Sequence, residues 1–417
     1  MSLALPLYRA VTGLLEPLAP GLLARRARAG KEDPSRLGER LGRASLPRPP
    51  GRLVWLHGVS VGESVSLLPL AQALQARRPD AALLLTSGTV TAAEMLARRL
   101  PPGVLHQYAP VDAPGAVDRF LEHWRPDLAV LVESELWPNL ILKAKARGTR
   151  LALLSARMTE ASARGWARAP GAARGLLDAF ALILSQDEAT TARLRRIGGA
   201  PDGRLNLKLA GEPLPCDEAQ LASLRSAVAT RRVLLAASTH EGEELAIARA
   251  WRASGARSLL IIVPRHPERG PAVAEELEAA GFSLTLRSRG EGPASDVYIA
   301  DTLGELGLFF RLAELTVMGG AFIEGPGGHN PLEPARLGCA IVTGPHVANA
   351  AEVYGELARE GAVLQAPDEA GLARLLAALA SDPLRVQRLA EAAQAYADRQ
   401  GAALDDALER LDALLPA

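Results

Sequence analysis

Short apolar runs alternate with helical segments along most of this chain, and this alternation is the feature that most restricts its fold. A short, mostly apolar run of this kind is typical of a strand buried on both faces. Strands that alternate with helices predict parallel sheets, with ligands at the carboxyl ends of the strands. We interpret as strands residues 53–56, 83–85, 128–132, 151–154 and 181–184 in a first series, and 233–236, 259–263, 283–286, 297–299, 315–318 and 340–343 in a second.

The pattern lapses around residues 205–217, between the two series. A chain of 417 residues is also too long for one ordinary core, so we predict two domains. The predicted organisation is an N-terminal segment at 1–45, a first Rossmann-like domain at 46–208, a linker at 209–230, and a second Rossmann-like domain with C-terminal helices at 231–417.

The composition is that of a globular protein without a nucleic-acid partner. Lys+Arg and Asp+Glu both number 47, and aromatic residues make up only 4% of the chain. Neither an attracting field nor a base-stacking surface is therefore expected. Cys216 and Cys339 lie far apart without a CxxC motif, which favours a reducing compartment.

The N-terminal segment places an apolar stretch directly before a basic one. Residues 1–24 are interrupted by prolines and charges, so they do not satisfy the requirement for a spanning helix of about 20 apolar residues. Basic residues follow from Arg25 to Arg43, a pairing that suits an anionic membrane surface. We favour membrane association; the alternative is a helix packed on its own domain.

The stretch from Glu314 to Glu333 reads as a strand, a glycine-rich loop and a helix start with Asn330 as N-cap and Pro331 at the first helical position. Backbone N–H groups and a helix dipole would converge there into an anion site. Glu333 lies where a sugar hydroxyl of a nucleotide could be held. The alternative is a capping box, in which Glu333 only satisfies the N-cap amide.

Carboxylates at strand ends are the candidates for acid–base chemistry. Glu63 follows a strand and a glycine-containing loop, so it is a candidate general base; the alternative is that it only complements a helix dipole. Glu133 and Glu135 follow the end of an apolar strand and are further candidates; the alternative is that they belong to a solvated loop.

Two basic residues could bind a phosphate: Lys208, at the domain joint, and Arg265, at the end of another strand. We predict no metal site, because the chain has no DxD motif and its histidines lack metal-ligand spacing.

Taken together, these segments resemble the Kdo (3-deoxy-D-manno-octulosonic acid) transferases of lipopolysaccharide synthesis. The resemblance covers nearly the whole chain, and Leu205 is a departure because the family usually has glycine there. It is carried, in order, by HGVSVGE from His57, ESELWPN from Glu133, STHEGEE from Ser238, VPRHPERG from Val263, DTLGELG from Asp301, GGHNPLEPA from Gly327 and GPHVANAAE from Gly344.

The resemblance implies an inverting, metal-independent GT-B glycosyltransferase, in which two Rossmann-like domains face a central cleft. It would move Kdo from CMP-Kdo to a hydroxyl of a lipid A precursor at the cytoplasmic face of the inner membrane, without a cofactor. By motif, Glu63 would be the base, Glu133 and Lys208 would stabilise the transition state, and Glu333 would contact the ligand. The implied CMP-binding residues are Pro264, Arg265, Leu303, Gly304, Glu305, Asn330, Pro331, Leu332 and Glu333. The alternatives are another GT-B enzyme that uses a UDP-sugar, and a related nucleotide-sugar epimerase.

Overall fold

The chain forms two compact units, each built on its own sheet. The computed structural model describes residues 3–211 and 213–415. The first unit contains Met1–Gly211 and Gln400–Ala417, and the second contains Glu212–Arg399. The last residues of the chain therefore belong with the first unit, whereas the predicted boundaries placed all C-terminal helices in the second.

The first sheet has seven parallel strands in the order β3-β2-β1-β4-β5-β6-β7. The chain runs outward from β1 on one side and then crosses to β4, so the topology reverses between these two neighbours. The strands are β1 Arg52–His57, β2 Ala81–Ser87, β3 Leu105–Tyr108, β4 Leu128–Val132, β5 Arg150–Ala156, β6 Leu182–Ser185 and β7 Gly203–Arg204.

The second sheet is also seven-stranded and parallel, in the order β10-β11-β9-β8-β12-β13-β14. Its topology reverses between β8 and β12. Its strands are β8 Val233–Thr239, β9 Leu259–Pro264, β10 Leu284–Leu286, β11 Val297–Ile299, β12 Leu315–Met318, β13 Ala340–Thr343 and β14 Val363–Gln365.

Helices connect the strands in both units. Those of the first unit are α1 Ala4–Leu15, α2 Ala19–Arg28, α3 Leu37–Arg40, α4 Val61–Arg77, α5 Val90–Arg99, α6 Pro114–Trp124, α7 Pro138–Ala146, α8 Glu160–Ala167, α9 Pro170–Leu177 and α10 Glu188–Arg196. They are followed by α11 Glu218–Val228, α12 Glu243–Ala253, α13 Gly270–Ala279, α14 Leu306–Leu312, α15 Leu332–Ala335, α16 Ala351–Arg359, α17 Glu369–Ser381 and α18 Pro383–Leu414.

The first sheet is buried on both faces, which explains its uninterrupted apolar strands. In β1, Leu53 and Trp55 pack into one cluster, while Val54 and Leu56 pack into the cluster on the opposite face. This is the two-residue period of a strand. Leu408, in the last turns of α18, joins the same cluster as Leu56, so the end of the chain completes this core.

The N-terminal helix α1 has one docked face and one apolar exposed face. The Tyr8 hydroxyl donates a 2.9 Å hydrogen bond to Asp112 Oδ2, and Glu16 Oε2 accepts a 2.7 Å bond from the Gly115 N–H. The exposed large apolar side chains of residues 3–22 are Leu3, Leu7, Val11, Leu14, Leu15, Leu18 and Leu22. All but Leu15 recur at intervals of three or four residues, as on one face of a helix, and we call the seven side chains together the leucine stripe. No helix in the described part of the chain is both long and apolar enough to cross a membrane.

Residues 32–42 pack closely on the first unit although they lie inside the predicted N-terminal segment. Glu39 is buried, pairs with Arg36 and accepts a 2.7 Å hydrogen bond from the Tyr108 N–H. Glu32 is also buried and lies 3.2 Å from Arg40 Nε. This part of the segment is therefore integral to the first unit.

The predicted linker at 209–230 contains a helix of the second unit. Asp217 caps α11 by accepting hydrogen bonds from the N–H groups of Ala219 and Gln220. Leu221 and Leu224 are buried. The prolines that mark the joint in the sequence, Pro213 and Pro215, precede this helix, and the described residues 213–216 form neither helix nor strand.

Candidate active-site residues

The carboxyl ends of β1 and β4 flank the topological switch point of the first sheet, the position where parallel sheets collect ligands. Glu63 lies there at the start of α4. It forms a capping box with Ser60: its Oε2 accepts a 2.6 Å hydrogen bond from the Val59 N–H, and its Oε1 accepts a 2.8 Å bond from Ser60 Oγ. The carboxylate is therefore held in one orientation while the side chain stays partly exposed.

Glu133 and Lys208 form an ion pair on the same edge of the first sheet. Lys208 Nζ lies 2.6 Å from Glu133 Oε1. Glu133 is only 8% exposed and its φ is +55°, a left-handed conformation that non-glycine residues rarely adopt. Such strain persists where the surrounding structure imposes it, and it clusters at functional sites. The structure thus brings together two residues that lie 75 positions apart in the chain.

Glu135 contacts a histidine that the sequence reasoning did not select. Its Oε2 lies 3.7 Å from Nε2 of the buried His57, and it also accepts a hydrogen bond from Trp137 Nε1. On its other side, His57 Nδ1 lies 2.9 Å from Thr86 Oγ1. Glu135 is therefore not a solvated loop residue. His57 opens the HGVSVGE motif, so a signal for it was present in the sequence.

At the switch point of the second sheet, the glycine-rich loop after β12 does form an anion-binding cradle, but the chain's own Glu243 fills it. The N–H groups of Gly320, Ala321 and Phe322 donate to the Glu243 carboxylate at 2.6, 3.0 and 2.8 Å. The sequence predicted that these groups would be open to a ligand. That expectation was wrong for these three amides, because they already donate hydrogen bonds to the buried carboxylate of Glu243 in α12.

The helix after this loop begins one residue later than predicted. α15 starts at Leu332 and has four residues, so its dipole is small. Asn330 Oδ1 accepts a 3.1 Å hydrogen bond from the Leu332 N–H, whereas Glu333 forms no capping box. Burial raises the pKa of Glu333, while Arg336 and Arg265 lower it. The Glu333 carboxylate is partly exposed and can accept a hydrogen bond from a ligand.

Arg265 immediately follows Pro264, the last residue of β9. Its N–H donates a 2.9 Å hydrogen bond to the Thr239 carbonyl, which fixes its backbone, and its side chain is exposed. The positive charge of Arg265 lowers the pKa of both His329 and Glu333. The guanidinium is therefore close enough to act on both of these side chains, which come from the segment after β12.

Leu303, Gly304 and Glu305 form an exposed turn. The Leu303 side chain is 83% exposed, and Gly304 adopts a φ of +83°. The Glu305 carboxylate is held by Arg287, whose Nε donates a 2.6 Å bond to it, and this contact lowers the pKa of Glu305. Glu305 is thus already paired through its side chain, and Leu303 is the side chain of this turn that faces outward.

His240 and His329 are a further pair that sequence reasoning did not select. Their Nε2 atoms are 2.9 Å apart and their rings are stacked at 5.1 Å. Burial lowers the pKa of each histidine, and Arg265 lowers both further. Both lie in segments with recognisable motifs, STHEGEE and GGHNPLE, but they are 89 residues apart in the sequence, so no local spacing indicates that they pair. Among the described residues, no group of three or more His, Cys, Asp or Glu side chains is arranged to hold a metal ion.

Solved structures show the fold class. The chain is similar to the UDP-GlcNAc 2-epimerase of Neisseria meningitidis, with a TM-score of 0.53 and 13% identity over 86% of this chain and 99% of that one. It is also similar to MurG of Acinetobacter baumannii, with a TM-score of 0.54 and 13% identity over 87% of this chain and 99% of that one. At these identities the likeness concerns the fold alone, and the predicted GT-B architecture is confirmed.

Sequence relatives show the family. Residues 35–210 match the family described as 3-deoxy-D-manno-octulosonic-acid transferase (kdotransferase). The chain is 31% identical to the 3-deoxy-D-manno-octulosonic acid transferase of Rickettsia bellii over 98% of this chain and 99% of that protein. It is 34% identical to the enzyme of the same name from Bordetella pertussis over 91% of both chains. Against the UDP-sugar and epimerase alternatives, the chain therefore belongs to the family of 3-deoxy-D-manno-octulosonic acid transferases, which are glycosyltransferases.

Proposed function

We propose that this chain transfers Kdo from CMP-Kdo to a hydroxyl group of a lipid A precursor at the cytoplasmic face of the inner membrane. The acceptor oxygen forms a bond to the anomeric carbon of Kdo as the bond from that carbon to the CMP phosphate breaks. The phosphate leaves with the electron pair, the acceptor proton passes to a base, and the anomeric configuration inverts. The observation that carries the proposal is that the Glu63 carboxylate and the Glu133–Lys208 ion pair are held in fixed orientations at the carboxyl ends of β1 and β4.

Glu63 is the proposed base. A sugar hydroxyl is a poor nucleophile while it keeps its proton, and a positioned carboxylate that accepts the proton contributes about 10²–10⁴ in rate. The Val59 and Ser60 contacts hold the Glu63 carboxylate in a fixed orientation. A carboxylate has about four acceptor positions, so these contacts leave capacity for an acceptor hydroxyl.

Lys208 and Glu133 are the proposed transition-state residues. An ammonium is a compact charge that can stabilise developing negative charge, and Glu133 orients it by the 2.6 Å contact. Because 43% of the Lys208 side chain is exposed, the ammonium remains accessible while it is paired.

In the second unit, the proposed donor site consists of Arg265, Glu333 and the turn at Leu303. Arg265 offers an exposed planar fork for a phosphate, and Glu333 accepts hydrogen bonds from hydroxyl groups of the ribose. The exposed Leu303 supplies an apolar contact for the base. Pro264, Gly304, Glu305 and residues 330–332 position these side chains. No metal or cofactor takes part in the proposed reaction.

The leucine stripe supports a lipid acceptor and a membrane location. Seven apolar side chains are exposed on residues 3–22, and Arg25, Arg26, Arg28 and Lys31 follow. An amphipathic segment of this kind binds in the plane of an anionic membrane interface. Beside it, a groove of about 580 Å³ is lined by Arg9, Lys143 and Leu142, among other residues. A lipid substrate presented at the bilayer surface fits this arrangement.

Mass spectrometry of the product formed from CMP-Kdo and a defined lipid A precursor tests the proposal. Addition of one or more Kdo residues in the presence of EDTA, with CMP released in equal amount, is the expected result. A reaction that requires a UDP-sugar, or that stops on chelation, contradicts it.

A further inference from the structure

We propose that Glu243 is a positioning residue of the donor site: its buried carboxylate is an internal anion that holds the loop after β12, so the donor phosphate binds elsewhere. This inference rests on the proposed use of a cytidine nucleotide. It concerns a residue that touches no substrate and acts through the backbone of residues 320–322.

The carboxylate of Glu243 accepts four backbone hydrogen bonds. Its Oε2 accepts from the N–H groups of His240 at 2.9 Å and Gly320 at 2.6 Å. Its Oε1 accepts from Ala321 at 3.0 Å and Phe322 at 2.8 Å. One side chain therefore joins the turn after β8 to the loop after β12.

These contacts use the whole acceptor capacity of the carboxylate. A carboxylate offers about four acceptor positions, and each is matched here by one N–H group. Glu243 is 0% exposed, and a buried charge is costly unless hydrogen bonds satisfy it. Three consecutive amides directed at one anion are the arrangement by which loops bind phosphate. Because Glu243 occupies them, these three amides are closed to a donor phosphate, and in the proposed site the exposed Arg265 binds the phosphate instead.

The loop needs such an anchor because its backbone is crowded and strained. A Cβ at Gly319 would lie 2.5 Å from the carbonyl oxygen of Ser238, so only glycine permits this approach. Ser238 has a φ of +57° and Gly320 a φ of +68°. Charge-assisted hydrogen bonds to Glu243 offset this strain.

The anchored loop leads directly to the proposed ligand-binding residues. His329 follows it and meets His240, whose own N–H is bound by Glu243. Asn330 and Glu333 come next in the chain. β8 and β12 are neighbours at the switch point of the second sheet, where a ligand is expected. A displaced loop would therefore move Glu333 away from the nucleotide.

The decisive variant is Glu243→Ala, tested for rescue by formate. Removing the side chain leaves four unpaired amides around a space that fits a small carboxylate. We expect CMP affinity, measured by calorimetry, to fall about tenfold or more. Formate should restore most of it, whereas chloride at equal ionic strength should not. Glu276→Ala, which removes an exposed carboxylate of the same unit, is the control and should match the wild type.

Two results would overturn the proposal. One is unchanged CMP affinity in a folded Glu243→Ala protein; the other is lost affinity that formate does not restore. If this variant does not fold, Glu243→Gln replaces it. Glutamine keeps the size of the side chain, but its NH₂ group is a donor and cannot accept hydrogen bonds from the backbone N–H groups. We expect Glu243→Gln to raise KM for the donor more than tenfold while kcat at saturation stays within about threefold. Equal losses in both constants would contradict a positioning role.

Hydrogen exchange separates failure of this inference from failure of the proposed function. The amides of Gly320, Ala321 and Phe322 should exchange faster in Glu243→Gln than in the wild type, without any ligand present. If the wild type does not bind CMP, the donor assignment fails while the exchange result still tests the anchor. Unchanged protection of these three amides in Glu243→Gln would show that Glu243 does not hold the loop after β12.

Discussion

The ammonium of Lys208 lies 2.6 Å from the carboxylate of Glu133, and this contact joins the end of β4 to the segment after β7. Glu133 is buried with a left-handed backbone, whereas the Lys208 side chain is partly exposed. A buried carboxylate thus holds an accessible cation at the carboxyl edge of the first sheet. This is the arrangement expected of a charge that must meet a leaving phosphate.

Lys208→Ala should lower kcat about 10²–10³-fold, because a preorganised charge at the reacting centre is lost. Lys208→Arg should recover only part of the rate, since a planar fork does not reproduce a compact ammonium. Steady-state kinetics of both variants and of Glu133→Gln measures the effect. If the two residues act as a pair, the double variant should be little worse than Lys208→Ala alone. Additive losses would contradict the pairing.

Glu63→Gln should lower turnover about 10²-fold or more while CMP affinity is retained. Glutamine at this position still supports a capping box, so the thermal midpoint should change little. Thr89→Ala is the matched control, because it removes the N-cap of α5 and should cost about 0.5–2 kcal/mol of stability with turnover near normal. A Glu63→Gln enzyme that is nearly fully active would show that Glu63 only caps its helix.

Replacing Leu7, Leu14 and Leu18 together by glutamate should reduce binding to anionic vesicles by about 100-fold or more. Each exposed leucine that enters the interface contributes about 1.5–3 kcal/mol, and the new charges are repelled by anionic lipid. Vesicle sedimentation at low and high salt is the measurement, since the basic flank should make binding weaken with salt. Leu384→Glu, at an exposed leucine of the second unit, is the control. Unchanged sedimentation of the triple variant would place the attachment elsewhere.

Deleting residues 1–30 should give a stably folded enzyme that no longer binds membranes, whereas deleting residues 1–43 should destabilise the fold. The longer deletion removes Glu39, which satisfies the Tyr108 N–H, together with its partner Arg36 and the buried Glu32. The buried Tyr108 N–H, on the edge strand β3, would then lose its acceptor, and each buried polar group left unsatisfied lowers the free energy of unfolding by about 1–3 kcal/mol. Thermal unfolding of the two truncated proteins distinguishes them. Equal midpoints would show that residues 32–42 are dispensable.

His106 should make the protein less stable in mild acid. Burial and the adjacent Arg36 lower the pKa of His106 to about 4. The unfolded chain, with an ordinary value near 6.5, then binds more protons than the folded one below that pH. The free energy of unfolding should therefore fall by up to about 1.4 kcal/mol per pH unit between about 6.5 and 4, with no contribution above 6.5. Denaturant unfolding of wild type and His106→Gln across this range should show a shallower pH slope for the variant; identical slopes would contradict the assignment.

The sequence alone determined the central strands, the two-sheet architecture and the family. Runs such as 128–132 and 259–263 are apolar throughout because they are buried on both faces, so the local composition alone identifies them as strands. The strands that the pattern missed, β3, β7 and β14, all lie at sheet edges. Edge strands pair on one side only and are short here, so they carry little apolar signal.

Only the tertiary structure decided which groups meet. A capping box was the alternative at Glu333, but it forms at Glu63, where Ser60 is the N-cap and Glu63 the third helical residue. At Glu333 it does not form because α15 begins one residue later than predicted, which makes Pro331 the N-cap, and proline has no side-chain acceptor. Likewise, the glycine loop after β12 reads as an open anion site, but Glu243, 77 residues earlier in the chain, fills it. Local patterns record burial and backbone preference. The partner of a given amide or carboxylate depends on which distant segments the sheet order brings to the same edge, and no local pattern records that.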